Sequence, residues 1–87
     1  MSTYGKHRGV VQNNNDPMRL GRVQAVVPDI SQDLLPWALP CLPCSGPYAI
    51  PAVGASIWVE LEGGDLERPI WSGCFWNAGD APPFEER

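Results

Sequence analysis

Apolar and polar side chains alternate most regularly between positions 55 and 62, where Ala55, Ile57, Val59 and Leu61 interleave with Ser56, Trp58, Glu60 and Glu62. A period of two places each set on its own face of a β-strand. Gly63-Gly64-Asp65 comes next. Glycine reaches positive φ without steric cost, so this segment predicts a turn leading into a second strand over residues 69–76. Residues 4–12 read as a weaker strand, with Tyr4, Lys6, Arg8 and Val10 on one side and Gly5, His7, Gly9 and Val11 on the other. Asn13-Asn14-Asn15-Asp16-Pro17 is a dense turn cluster. Residues 20–27 predict the next strand, whose alternation turns Val23, Ala25 and Val27 toward the core.

Pro28-Asp29 ends that strand, and residues 30–35 have room for one helical turn with Ser31 as its N-cap. Residues 36–41 form a short strand between prolines, which suits an edge or a barrel rim. Residues 77–87, rich in Pro, Gly and charge, read as an extended C-terminal tail. The expected organisation is a barrel over residues 1–76 and a tail over 77–87. No window supports a long amphipathic helix. Five short strands with glycine punctuation therefore predict an all-β fold, a small five-stranded antiparallel barrel. An OB-fold fits the count, and an SH3-like barrel is the nearest competitor.

Size and composition sharpen this picture. A chain of 87 residues buries only about 60–65% of its unfolded surface, so its own core is thin. It is nevertheless 44% hydrophobic and carries four tryptophans. Both features favour burial of apolar surface against another chain. Trp58 stands out, because it shares the outward face of its strand with Glu60 and Glu62. An exposed aromatic among carboxylates is the kind of residue that anchors interfaces. Trp37 and Trp76 read as packing residues.

Charge and chemistry mostly exclude. Six basic residues face ten acidic ones, for a net charge of −4. Phosphate binding needs Lys and Arg in excess, so nucleic acid is not expected as a ligand. The alternative is an OB-fold module that stacks single-stranded nucleic acid on aromatic platforms. The first residues form no apolar targeting run. The apolar stretch from Leu34 to Cys44 is broken by Pro36, Pro40 and Pro43, so stable membrane insertion is not expected and the chain reads as cytoplasmic in synthesis.

Cys41, Cys44 and Cys74, with His7, can be written as a Cys3His zinc site, but only one C-x-x-C pair exists and its prolines forbid a helix. The expectation is no metal, no cofactor, and small thiols that are buried or half-buried. Gly63-Gly64-Asp65 has no lysine and opens no helix, which excludes a phosphate-cradling loop. Glu60 and Glu62 read as solvated or as partners for Arg22 and Arg68, and His7 as a surface histidine. No Ser/His/Asp or Cys/His grouping completes a catalytic site, so an enzyme is not expected.

In their order along the chain, these segments resemble the OB-fold domain of phage baseplate central-spike proteins. That family includes baseplate assembly protein V and the related spike proteins of type VI secretion and other contractile injection systems. The resemblance is carried by Tyr4-Gly5-Lys6-His7-Arg8-Gly9-Val10-Val11, Asn15-Asp16-Pro17 and Leu20-Gly21-Arg22-Val23-Gln24-Ala25-Val26-Val27-Pro28-Asp29. Further along it is carried by Trp37-Ala38-Leu39-Pro40-Cys41, Ala49-Ile50-Pro51-Ala52-Val53-Gly54, Trp58-Val59-Glu60-Leu61-Glu62-Gly63-Gly64-Asp65 and Arg68-Pro69-Ile70-Trp71-Ser72-Gly73. Nothing after the barrel resembles a lysozyme-like domain or a β-helical needle. The resemblance implies a homotrimeric structural protein that joins a baseplate hub to a separate spike-tip protein. It would be located in the virion tail and assembled in the host cytoplasm. Trp58 and Trp71 are the expected interface anchors, with Arg68 and Glu60 as register-setting charges.

Overall fold

A computed structural model describes residues 4–42, 44 and 49–76. Five strands follow in chain order: β1 (His7–Asn13), β2 (Gln24–Val26), β3 (Leu39–Pro40), β4 (Ser56–Leu61) and β5 (Pro69–Cys74). They hydrogen-bond in the order β2-β1-β4-β5-β3. The two ends of this sheet meet where Val23 and Ala38 exchange both backbone bonds, at 3.2 and 2.7 Å. The sheet thus curls into a small barrel with the expected OB arrangement, and closure removes the open edges a flat sheet would expose.

The expected all-antiparallel pairing is corrected at one place: β3 runs parallel to β5, with Leu39 opposite Ile70 and Pro40 opposite Trp71. The reason is parity. Strand directions cannot alternate around a ring of five, so at least one neighbouring pair must be parallel.

The alternation of β4 holds along its whole length. Ile57, Val59 and Leu61 are buried, while Ser56, Trp58 and Glu60 lie on the outer side. Val23, Ala25 and Val27 belong to the same core, as their spacing predicts, and Val11 of β1 joins them. β1 crosses this core closely at Gly9, which is buried and stands opposite Ile57. The hairpin joining β4 to β5 turns through a short 3-10 segment, Glu62–Gly64, where Gly63 and Gly64 have φ of 61° and 78°.

Several boundaries differ from expectation. β1 begins at His7 rather than position 4, and β2 is limited to Gln24–Val26. Residues 20–22 do not extend β2 because the amides of Leu20 and Arg22 donate to the Asp16 carboxylate (2.9 and 3.3 Å). Residues 30–35 form turns, not a helix. The amides of Ile30 and Ser31 both donate to the Val27 carbonyl (2.9 and 3.0 Å), and the Ser31 hydroxyl accepts from the Asp33 amide. Ser31 therefore stabilises a turn instead of capping a helix. The expected tail over 77–87 lies outside the described residues.

Candidate functional site

The outer side of β1, β4 and β5 carries the most organised surface of the barrel. Arg8 on β1 stands directly opposite Trp58 on β4. Their side chains share a face because both occupy outward phases of their strands. Phe75 joins them for a less obvious reason. Ile57 pairs with Cys74 and Val59 with Trp71, so β5 carries one residue more than β4 between these rungs. Gly73, at φ 94°, lies in this bulge. An uninterrupted strand would turn Phe75 inward like Trp71, four residues earlier. The extra residue reverses the phase and brings Phe75 to the outer face.

There the Phe75 ring centroid lies 4.6 Å from that of Trp58, with the planes tilted by 37°. The Arg8 guanidinium carbon sits 5.6 Å from the Trp58 centroid and 5.0 Å from that of Phe75. One cation thus spans two rings, a geometry favoured by the negative faces of both π-systems. Glu60, two residues beyond Trp58, accepts a hydrogen bond from the Ser72 hydroxyl at 3.4 Å.

The other expected anchors are placed elsewhere. Trp71 is not on this face. It is 2% exposed, stands opposite Val59 and belongs to the core, where its indole N–H donates to the Gly21 carbonyl at 3.0 Å. Arg68 lies at the hairpin end, 3.8 Å from Glu62 and 3.7 Å from Asp65, with all three side chains at least half exposed. Pairs of this kind are weak in water. Arg68 lines a cleft of about 340 Å³ with Trp37, Leu39 and Pro69, separate from Trp58. Of the four predicted residues, only Trp58 and Glu60 share a face. Trp76, expected to pack, is 64% exposed.

The spacing of charges along the chain does not reveal its closest ion pair. Arg22 pairs not with Glu60 or Glu62 but with Asp16, donating from Nε at 3.0 Å and Nη2 at 2.8 Å. The Asp16 side chain is only 4% exposed, and it also accepts the amides of Met18, Leu20 and Arg22. The Arg22 guanidinium above all, helped by these amides and opposed by burial, holds the Asp16 carboxyl well below the usual carboxylate range. The same pairing raises the affinity of Arg22 for its proton. Arg22 also lies over Trp37, 5.4 Å from its ring centroid. This set clamps the β1–β2 connection against the barrel, so its role is architectural.

The cysteines and the histidine are also placed differently from expectation. Cys41, Cys44 and Cys74 are all free and exposed, because they sit at or beyond the ends of β3 and β5 rather than within the core. Among the described residues, no three His, Cys, Asp or Glu side chains converge to hold a metal ion. His7 faces Val59 and is half-buried, and its Nε2 is buried with no hydrogen-bond partner among the described residues.

Arg8 and Phe75 are the members of the outer-face cluster that sequence reasoning missed. The alternation of β1 does place Arg8 on the side away from Gly9 and Val11. Only the bulge, however, brings Phe75 to Trp58.

No curated protein matches the chain. Among known families, the type VI secretion system/phage-baseplate injector OB domain matches residues 7–76, a range that includes all five strands and the outer-face cluster up to Phe75. With the curled five-stranded sheet, that match identifies the chain as a member of the phage-baseplate and type VI secretion injector OB-domain family.

Proposed function

We propose that this chain is a spike or hub component of a contractile phage tail or related injection apparatus, linking the baseplate hub to a separate spike-tip protein. In this reading it acts as a homotrimer within the tail baseplate, after assembly in the host cytoplasm. Its work is positioning and force transmission, without catalysis. The observation that carries the reading is the injector OB-domain match over residues 7–76. The outer face supports it, because Trp58 is only half-buried and lies on the barrel surface beside Phe75 and Arg8. Aromatic and Arg residues placed in this way are typical interface anchors.

Light scattering on the purified chain, alone and with the neighbouring hub protein, tests this directly. The expected result is a trimer, or a trimer formed on addition of the hub protein. A monomer under both conditions, together with normal infectious particles assembled without the chain, would overturn it.

A second reading, an OB-fold module for single-stranded nucleic acid, is favoured only by the Arg8–Trp58–Phe75 stack. The net charge of −4 opposes it. Tight, salt-sensitive retention of a short oligonucleotide in a gel-shift assay would select it.

A further inference from the structure

We propose that Arg8, seated over Trp58 and Phe75, is a carboxylate-binding site, and that its ligand is an Asp or Glu side chain flanked by apolar residues on a different protein of the assembly. This rests on the reading of the outer face as an interface, and it names the chemistry that face recognises.

The guanidinium is exposed and held over two rings. Two ring centroids lie at 5.6 and 5.0 Å from its central carbon. Among the described residues, no carboxylate comes within ion-pair distance of Arg8, and its side-chain N–H groups have no acceptor. The two other arginines with carboxylate neighbours differ. Arg22 is consumed by a two-pronged bond to Asp16, and Arg68 lies beside Glu62 and Asp65. A planar guanidinium held against two rings keeps its donor fork in a fixed orientation, so little rotamer freedom is lost when a carboxylate bridges it. The rings border the same spot with apolar surface, so apolar residues beside the incoming carboxylate would cover them and exclude water.

Charge complementarity points the same way. Lys6, exposed and two residues before Arg8, adds a second positive charge close by in the chain, a local basic spot on a chain of net charge −4. An acidic partner is attracted there. A second copy of this chain, itself of net charge −4, is a poorer match than a partner whose charge is set independently.

The test uses the intact chain, labelled for NMR at arginine Nε–H and tryptophan indole N–H. The probes are an acetylated Leu-Glu-Phe amide peptide, its Leu-Gln-Phe counterpart and a short oligothymidylate. The expected result is a shift of the Arg8 Nε–H and Trp58 indole signals with the Glu peptide. The Gln peptide should bind about tenfold or more weakly, as expected for loss of a charge-assisted bond. Arg8→Gln should remove the response and Arg8→Lys should reduce it, with the backbone amide spectrum otherwise unchanged. Equal binding of the two peptides, no shift at either signal, tighter oligothymidylate binding, or self-association through this face would each overturn the proposal. Assembly into particles separates the two levels of the argument. If Arg8→Gln assembles normally while Trp58→Ala does not, the carboxylate site falls and the interface stands. If neither variant affects assembly, both fall.

Discussion

Replacing Gly9 with alanine adds one methyl group where β1, β2 and β4 come together. A Cβ at this position lies 3.0 Å from Val59 Cγ2, 3.3 Å from Val27 Cγ2 and 3.4 Å from the Val26 carbonyl oxygen. Carbon atoms in comfortable contact stand about 3.5–4.0 Å apart, so both valine methyls are too close. Neither can swing into solvent, since Val27 is 0% exposed and Val59 1%. Their β-branched side chains also have little rotamer freedom. Overpacking of this kind costs about 1–3 kcal/mol. Alanine restricts the unfolded chain more than glycine does, which offsets about 0.4–1 kcal/mol of that.

The net expectation for Gly9→Ala is destabilisation by about 1–2 kcal/mol, which at about 4–8 °C per kcal/mol for a domain of this size lowers Tm by roughly 4–15 °C. Thermal unfolding followed by circular dichroism, together with the urea midpoint, measures it. A cycle with Val59→Ala isolates the cause. Truncating Val59 opens the space that the new methyl would occupy, so the double variant should be less destabilised than the two single effects added, by on the order of 1 kcal/mol. A Tm at or above that of the parent chain, or strictly additive costs, would refute the close approach of β1 to the core. That approach also matters for the surface, since it holds the neighbouring Arg8 opposite Trp58.

The remaining predictions concern the core, the clamp and the thiols. Trp71→Phe keeps a buried ring but removes the donor to the Gly21 carbonyl, and should cost about 1–3 kcal/mol by chemical denaturation; Trp58→Phe should cost less than about 1 kcal/mol, as for a surface change, and the reverse order would place the wrong tryptophan in the core. Asp16 contributes stability that is whole above its unfolded pKa of about 3.9. Its folded carboxyl is depressed, so as the pH falls below that value the unfolded chain binds the proton first, and the contribution shrinks until the folded carboxyl protonates as well. Asp16→Asn should therefore lower the urea midpoint at neutral pH and flatten its decline between about pH 4 and pH 2; an unchanged acid limb would contradict the clamp. Cys41, Cys44 and Cys74 are all free and exposed, so a thiol reagent should titrate all three in the native protein without denaturant, and a thiol that reacts only after unfolding would contradict that placement.

Much of the barrel was legible from local patterns. The alternation from Ala55 to Glu62 predicted β4 and its two faces, and Gly63-Gly64-Asp65 predicted the hairpin. The spacing of Val23, Ala25 and Val27 alone turns them toward the core, and all three are buried there. Such features depend on residues within a few positions of one another, where strand period and glycine's backbone freedom decide. The candidate site was only partly legible. Trp58 and Glu60 were placed on the outer side by the same period. The inward phase of Trp71 depends on its pairing with Val59 across the hairpin, which no local pattern reports.

By itself, then, the sequence determined the β character of the chain, the tight β4–β5 turn, the inward and outward sets of β4, and the outward position of Trp58. Only the tertiary structure decided the rest. Asp16 and Arg22 close on each other across the β1–β2 connection and so shorten β2, because a two-pronged bond and three amides outweigh continuation of a strand. The parallel β3–β5 pair follows from closing a ring of five strands. Phe75 reaches Trp58 and Arg8 because the bulge containing Gly73 adds one residue to β5, a shift of phase that becomes visible only when β5 is laid against β4.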